Sequence, residues 1–255
     1  MWSEGRRGYP TAMEEERVDR PDFTAPDVRE LRRRVALACR ILYQQGLADY
    51  LGHPSARIGD SGYVVVKPKF SPRIKAFGAM ATENMLVVDL DGRTHVGEDP
   101  PPSELSLHLE IYRARPDVKA IVHTHQLMST IFGVVERPIL PLLHLESVLV
   151  ADGIAVYPSS KLITTPERGR EMAQALGQHH LMHLQGHGIV TAAPRIEEAT
   201  IAAVMLERLA HANYLAHTLG TPRVIPPDEI ALLREEMQPP EGRWAYYSSL
   251  VEEPE

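Results

Sequence analysis

Two histidines separated by one residue, His123 and His125, close the apolar run Ala120-Ile121-Val122. On a strand, residues i and i+2 share a face with Cα atoms roughly 6.5–7 Å apart, so two imidazoles at that spacing can converge on one metal ion. A third histidine, His187, stands between glycines in Gln185-Gly186-His187-Gly188. Glycines on both sides let the backbone turn sharply and approach a ligand closely. Three imidazoles with an open position suit a catalytic Zn²⁺ or a similar divalent ion. Upstream, the proline run Pro100-Pro101-Pro102 leads into Ser103 and Glu104. Ser103 is read as the N-cap of the helix that follows, with Glu104 in its first turn. A carboxylate is thereby held at the mouth of whatever the strand end builds.

The elements that must position these groups are legible around them. Leu105, Leu107, His108, Ile111 and Tyr112 follow a helical pattern, and Arg115-Pro116-Asp117 breaks it before the strand that ends in His123-Thr124-His125. Earlier, Pro26-Asp27 opens a helix with Val28, Leu31, Val35, Ala38 and Leu42 at spacings of three and four, ended by Gly46. Arg32, Arg33 and Arg34 in that helix read as a solvated face. Leu51–Ile58 is a loop entering a strand, Tyr63–Val66 a second strand, and Lys67–Met80 a long loop of the kind that often carries function. Met85–Leu90 is a strand followed by the hairpin signal Asp91-Gly92.

Further on, the pattern predicts short helices at Leu127–Val134 and His144–Val150 and a strand at Ile154–Tyr157. A helix capped by Thr165 with Pro166 at N1 closes at Gly177. The strand Leu181–Leu184 leads into His187, a long helix runs from Pro194 to Gly220, and a last helix opens at Pro226-Pro227-Asp228. Beyond it lies a short tail with Trp244, Tyr246 and Tyr247. Hairpins early and alternation later imply an α/β fold: three layers, α/β/α, with a central, largely antiparallel sheet.

The ordered set Pro102-Ser103-Glu104, a helix with His108 and Tyr112, Arg115-Pro116-Asp117, a strand ending His123-Thr124-His125 and a later Gly186-His187-Gly188 resembles the class II aldolase/adducin family. The resemblance runs from about residue 29 to about residue 220. It implies the same three-layer fold, a homotetramer with sites at subunit interfaces, and a small-molecule substrate. It implies one divalent metal ion per subunit on His123, His125 and His187, with Glu104 as the catalytic acid/base. Zn²⁺ is the default by ligand type, and nitrogen-rich sites also take Mn²⁺, Fe²⁺ or Co²⁺.

Departures from the family pattern bear on substrate. Sugar-phosphate enzymes of the family resemble one another in a cradle of Gly-Asn, Thr-Gly after a proline, and paired serines before the glutamate. At matching positions stand Gly52-His53, Lys69-Phe70 after Pro68, and Pro102-Ser103. A bulky ring replaces a glycine, and a proline removes a hydroxyl and an N–H. Gly52-His53-Pro54-Ser55-Ala56-Arg57 looks more like the family's metal-dependent decarboxylases of hydroxylated aromatic acids. His53, Ser103, Lys69 and Arg57 are the expected substrate contacts. The expected activity is decarboxylation of a hydroxylated aromatic (di)carboxylic acid through a metal-stabilised enolate. The alternatives are an aldolase acting on a small hydroxy-acid or sugar (phosphate), and a non-catalytic adducin-like binding module.

The whole chain bounds these expectations. Its 255 residues, 44% hydrophobic and 24% charged, make one catalytic domain over 24–237, with a flexible arm at 1–23 and a tail at 238–255. A formal charge of −7 argues against a general nucleic-acid or membrane surface. No run approaches the roughly 18–20 apolar residues of a membrane span, and no signal-peptide pattern opens the chain. The single cysteine, Cys39, excludes an intramolecular disulfide and reads as an inert core thiol, which suits a cytoplasmic protein.

Overall fold

A computed structural model describes residues 20–72, 74, 76–237 and 239–251. Helix α1 (Pro26–Gln44) opens the fold with proline in its first turn and buries Val28, Val35, Ala38 and Leu42 on one stripe. Strands β1 (His53–Arg57), β2 (Tyr63–Val66), β3 (Leu86–Asp89) and β4 (Thr94–Val96) follow as antiparallel neighbours. Gly92 takes φ +84° in the β3–β4 hairpin, the conformation its position in Asp91-Gly92 requires. Helix α2 (Leu105–Ala114) then precedes strand β5 (Ala120–Thr124). Helices α3 (Leu127–Val134) and α4 (Glu146–Val150) lead to strand β6 (Ala155–Tyr157) and helix α5 (Pro166–Leu176). Strands β7 (Leu181–Leu184) and β8 (Gly188–Ala193) form a hairpin, and helices α6 (Ile196–Leu219), α7 (Pro227–Glu236) and α8 (Glu241–Ser249) complete the chain.

The eight strands form one sheet in the order β4-β3-β2-β1-β5-β8-β7-β6, and only β6 and β7 pair in parallel. Alternate side chains divide between two cores, as the pleat dictates. Val65, Val87, Ala120 and Val122 meet Val35, Cys39 and Leu42 of α1 and Leu206 and Leu209 of α6. Val64, Val66, Ile121 and Val190 meet Leu107 and Ile111 of α2 and Met172 and Leu176 of α5. This is the three-layer α/β/α arrangement expected from the sequence, and its largely antiparallel sheet.

Local structure departs from the sequence reading in four places. Gly188–Ala193 is a central strand between β5 and β7, not a link between His187 and the long helix. Ile189-Val190-Thr191 are β-branched and suit a strand, a signal the sequence reading passes over, and pairing with β5 and β7 places the run at the centre of the sheet. Ser103 does not cap α2. The Leu105 N–H donates to Pro102 C=O at 3.0 Å, and Glu104 itself occupies the cap position with its side chain turned elsewhere. The three-arginine run is not wholly solvated, since Arg32 donates to Met85 C=O and Arg34 pairs with the buried Glu197. The tail is helical, and Trp244 and Tyr247 of α8 pack against the core beside α1 and α6 of their own chain, leaving Tyr246 exposed. Most of the 1–23 arm lies outside the described residues, although Phe23 packs on Tyr63 and His95. Cys39 is fully buried, and burial pushes its thiol up to about 12, as an inert core thiol requires.

Candidate active site

The centre of the sheet builds the site. The β1–β5 register sets His53 opposite His123, and the β5–β8 register sets His123 opposite Val190. His125 lies one residue past the end of β5. His187 closes the β7–β8 turn, its N–H donating to Leu184 C=O at 2.9 Å with Gly186 at φ +66°. Gly188 is glycine for a different reason. A Cβ there would lie 2.4 Å from Thr124 O and against the rings of His125 and His123. The two glycines around His187 therefore do separate work, one turning the chain and one letting the hairpin press against the ends of the ligand strand.

His123, His125, His187 and Glu104 each direct one donor atom into a common point, all within 4.8 Å of one another. The Nε2 atoms of His123 and His125 are 3.0 Å apart. Two nitrogens bound at tetrahedral angles to one Zn²⁺ lie about 3.4 Å apart, so the pair is close to ligand spacing. Glu104 Oε2 lies 3.5 Å from His187 Nε2 and 3.8 Å from His123 Nε2.

Hydrogen bonding presents these atoms for a metal. The Nδ1–H of His123 donates to Ile189 C=O at 2.8 Å, which leaves Nε2 with its lone pair free. Both ring nitrogens of His187 are buried without a hydrogen-bond partner among the described residues. An orphaned imidazole of that kind is costly unless a ligand completes it. Burial drives His123 well below the ordinary histidine value, and burial together with His187 brings His125 down to about 4. Neutral imidazoles are the form a divalent cation binds. The residues fit a divalent ion.

Glu104 is buried, which alone would raise its carboxyl. The imidazoles of His187, His53 and His123 and the Ile163 N–H, which donates to Oε1 at 2.8 Å, outweigh that effect and hold it well below the usual carboxylate range. The group rests ionised, with Oε2 facing the three candidate ligands.

A cavity of about 220 Å³ opens from this cluster. His53, Lys67, Lys69, Phe70, Ser103 and Glu104 are among its lining residues, with Tyr50, Leu162 and His125. Of the expected substrate contacts, His53, Ser103 and Lys69 are thus brought to one cavity. Arg57 is not. It sits at the opposite end of β1, about 13 Å along the strand from His53. Its guanidinium donates to Tyr112 C=O at the end of α2 and lies over the Tyr112 ring, so it serves helix docking. Its assignment as a substrate contact is corrected on that ground.

Two features escape the sequence reading. Lys67, the first residue of the long loop, is buried and lines the cavity. Behind His53 runs a buried chain of hydrogen bonds: His53 Nδ1 to His108 Nε2 at 2.7 Å, His108 Nδ1 to Ser55 Oγ at 2.7 Å, and Ser55 Oγ to Tyr112 Oη at 2.8 Å. The i, i+2 spacing of His53 and Ser55 and the i, i+4 spacing of His108 and Tyr112 were the available signals. Each pair shares a face of its element, but only the packing of α2 on β1 brings the two faces together.

The chain has relatives among known proteins. The Class II Aldolase and Adducin N-terminal domain matches residues 33–214. The 3,4-dihydroxyphthalate decarboxylase of Arthrobacter keyseri is 35% identical over 189 residues, covering 70% of this chain and 75% of the relative. The L-fuculose phosphate aldolase of Methanococcus maripaludis is 30% identical over 185 residues, covering 71% of this chain and 94% of the relative. Among solved structures, an aldolase II superfamily protein from Pseudomonas syringae superposes with a TM-score of 0.76 at 21% identity, covering 89% of this chain and 94% of that one. That likeness speaks for the fold, while the family match spans the sheet and all four clustered residues. The chain is an enzyme of the lyase class and belongs to the class II aldolase and adducin family.

Proposed function

We propose that the protein is a divalent-metal-dependent decarboxylase of a hydroxylated aromatic dicarboxylic acid. The observation that carries this reading is the character of the cavity beside the candidate metal cluster. Phe70 and Tyr50 offer ring surfaces, their centroids 5.4 Å apart, and Lys67 and Lys69 offer positive charge. A phosphate cradle of small residues and free backbone N–H groups would need the positions that Phe70 and Pro102 fill. The similarity to 3,4-dihydroxyphthalate decarboxylases supports the same choice.

In this reading His123, His125 and His187 hold the ion. When bound, it supplies Lewis-acid stabilisation of negative charge developing on substrate oxygen. Glu104, ionised at rest, takes the proton of the hydroxyl beside the departing carboxylate. It then returns that proton to the ring carbon that loses CO₂. The electron pair of the broken C–C bond stays in the ring, and the hydroxyl oxygen regains a proton from solvent. His53 presents an N–H to the substrate, and Phe70 and Tyr50 flank its ring. The chain works as a homo-oligomer in this reading, supported by the exposed apolar side chains of Leu127, Ile131, Val134 and Val135 along and just beyond α3 and of Leu162 at the cavity.

The test is a substrate panel on protein loaded with Zn²⁺ or Mn²⁺. CO₂ is followed from dihydroxylated aromatic dicarboxylates, and aldehyde from sugar phosphates. CO₂ release is the expected result. Aldehyde from a sugar phosphate, with no CO₂ from any aromatic acid, would replace this reading with aldol cleavage, the activity named for the second relative.

A further inference from the structure

Among the described residues, Lys67 is a buried cation without an anion. Strand β2 alternates Val64, Val65, Val66, and Lys67 continues it with its N–H donating to Pro54 C=O at 3.2 Å, so its backbone is tied beside His53. The residue is 4% exposed. Its Nζ donates to Pro68 C=O at 3.0 Å and lies 4.9 Å from the centre of the Phe77 ring. One carbonyl and one ring face leave ammonium donors unfilled. Among the described residues no carboxylate lies within ion-pair distance of it. Glu104, the only carboxylate lining the cavity among the described residues, is already held by the imidazoles and by Ile163 N–H. Burial lowers the Lys67 ammonium from its usual value, the expected response of a cation waiting for a partner.

Sequestering a charge without a counter-ion is costly, and a bound anion would offset that cost. We propose that Lys67 is the counter-charge for a substrate carboxylate that persists through the reaction, and so selects dicarboxylates over monocarboxylates. The identity of that anion rests on the decarboxylase reading. The departing carboxylate is the wrong partner. It loses its charge as CO₂ forms, so a cation on it would stabilise the ground state more than the transition state. A retained carboxylate keeps its charge throughout, and its ion pair with Lys67 contributes to binding and turnover state alike. Lys69, exposed at the rim, is the less desolvated of the two lysines and makes the weaker contact.

Binding to the metal-loaded protein tests this without requiring turnover. The probes are 3,4-dihydroxybenzoate, its neutral amide and catechol, which share the diol and differ in the carboxylate. Wild type is expected to prefer the benzoate over the amide and over catechol by about tenfold or more, the scale of one desolvated charge pair. Lys67→Met should abolish that preference and leave catechol affinity within about twofold, whereas Lys67→Arg and Lys69→Met should keep most of it. Should Lys67→Met fail to fold, the comparison of benzoate with amide on wild type and Lys67→Arg still decides. Equal binding of benzoate and amide by wild type, or a preference that survives in Lys67→Met, overturns the proposal. CO₂ release from the same preparation reports on the decarboxylase reading separately, since a carboxylate preference can stand or fall whether or not CO₂ is formed.

Discussion

His53 Nδ1 lies 2.7 Å from His108 Nε2, and this contact sets which face of His53 meets the cavity. The other nitrogen of His53 points at Glu104 Oε2, 3.9 Å away. An ionised carboxylate only accepts, so His53 carries its proton on Nε2 and accepts from His108 through Nδ1. The same logic passes outward: His108 Nδ1 accepts from the Ser55 hydroxyl, and Ser55 Oγ accepts from the Tyr112 hydroxyl. The tautomers of two buried histidines are therefore set from the Glu104 end, and the Tyr112 hydroxyl on the next turn of α2 closes the chain as donor. His108→Phe is expected to lower kcat/KM by about 10–100-fold with metal content unchanged, the usual effect of losing an orienting partner. His108→Gln, which keeps an N–H for His53, should recover part of the loss. Full turnover in His108→Phe would remove the orienting role.

Glu104→Gln should retain the metal, because its carbonyl oxygen can still accept from Ile163 N–H and the three imidazoles are untouched. Turnover should fall about 10²–10⁴-fold, since an amide neither takes nor returns a proton. His187→Ala should lose metal and turnover together. Elemental analysis beside CO₂ release separates the two variants, and a nearly fully active Glu104→Gln would refute the acid/base assignment.

Gly188→Ala tests the hairpin contact. The added methyl would sit 2.4 Å from Thr124 O, which is backbone and can yield only by moving the strand end that carries His125. Metal affinity should fall at least tenfold while the far-ultraviolet circular dichroism spectrum stays the same. Gly242→Ala, where a Cβ meets nothing within 4 Å, is the matched control. Unchanged metal affinity in Gly188→Ala would show that the ligand strand end adjusts freely.

Acid should weaken the metal-free protein before its carboxylates titrate. Burial holds His125 and His183 at about 4, below the ordinary histidine value of about 6.5. Between those limits the unfolded chain binds protons that the folded chain refuses, so stability falls as pH drops from about 6.5 towards 4. Above pH 7 these groups contribute no slope. Urea unfolding at pH 7.5, 5.5 and 4.5 should show the decline, at roughly 1.4 kcal/mol per pH unit for each such histidine at full slope. His183→Leu should make the decline shallower by that residue's share and leave the part due to His125. A flat profile down to pH 4.5 would mean these imidazoles are not held neutral in the fold.

What was legible in the sequence is what local periodicity encodes. His123 and His125 could be paired because i and i+2 share a strand face, and His187 could be added because its flanking glycines announce a turn. Helices with a strong apolar stripe and a proline start, such as α1 and α5, were equally open to reading. Tertiary structure alone decided the rest. Arg57 shares a strand with His53 yet ends up at the wrong end of it, because strand direction relative to the site depends on pairing with β5. Ile189-Val190-Thr191 suit a strand by residue type, but the place of Gly188–Ala193 at the centre of the sheet comes from hydrogen bonds to two neighbours. The His53–His108 contact spans 55 residues, and no local pattern holds information about partners so far apart. Lys67 looked like the first residue of a loop until packing buried it beside a cavity. Burial and register are properties of the assembled sheet, and they converted ordinary polar residues into a charged, oriented pocket.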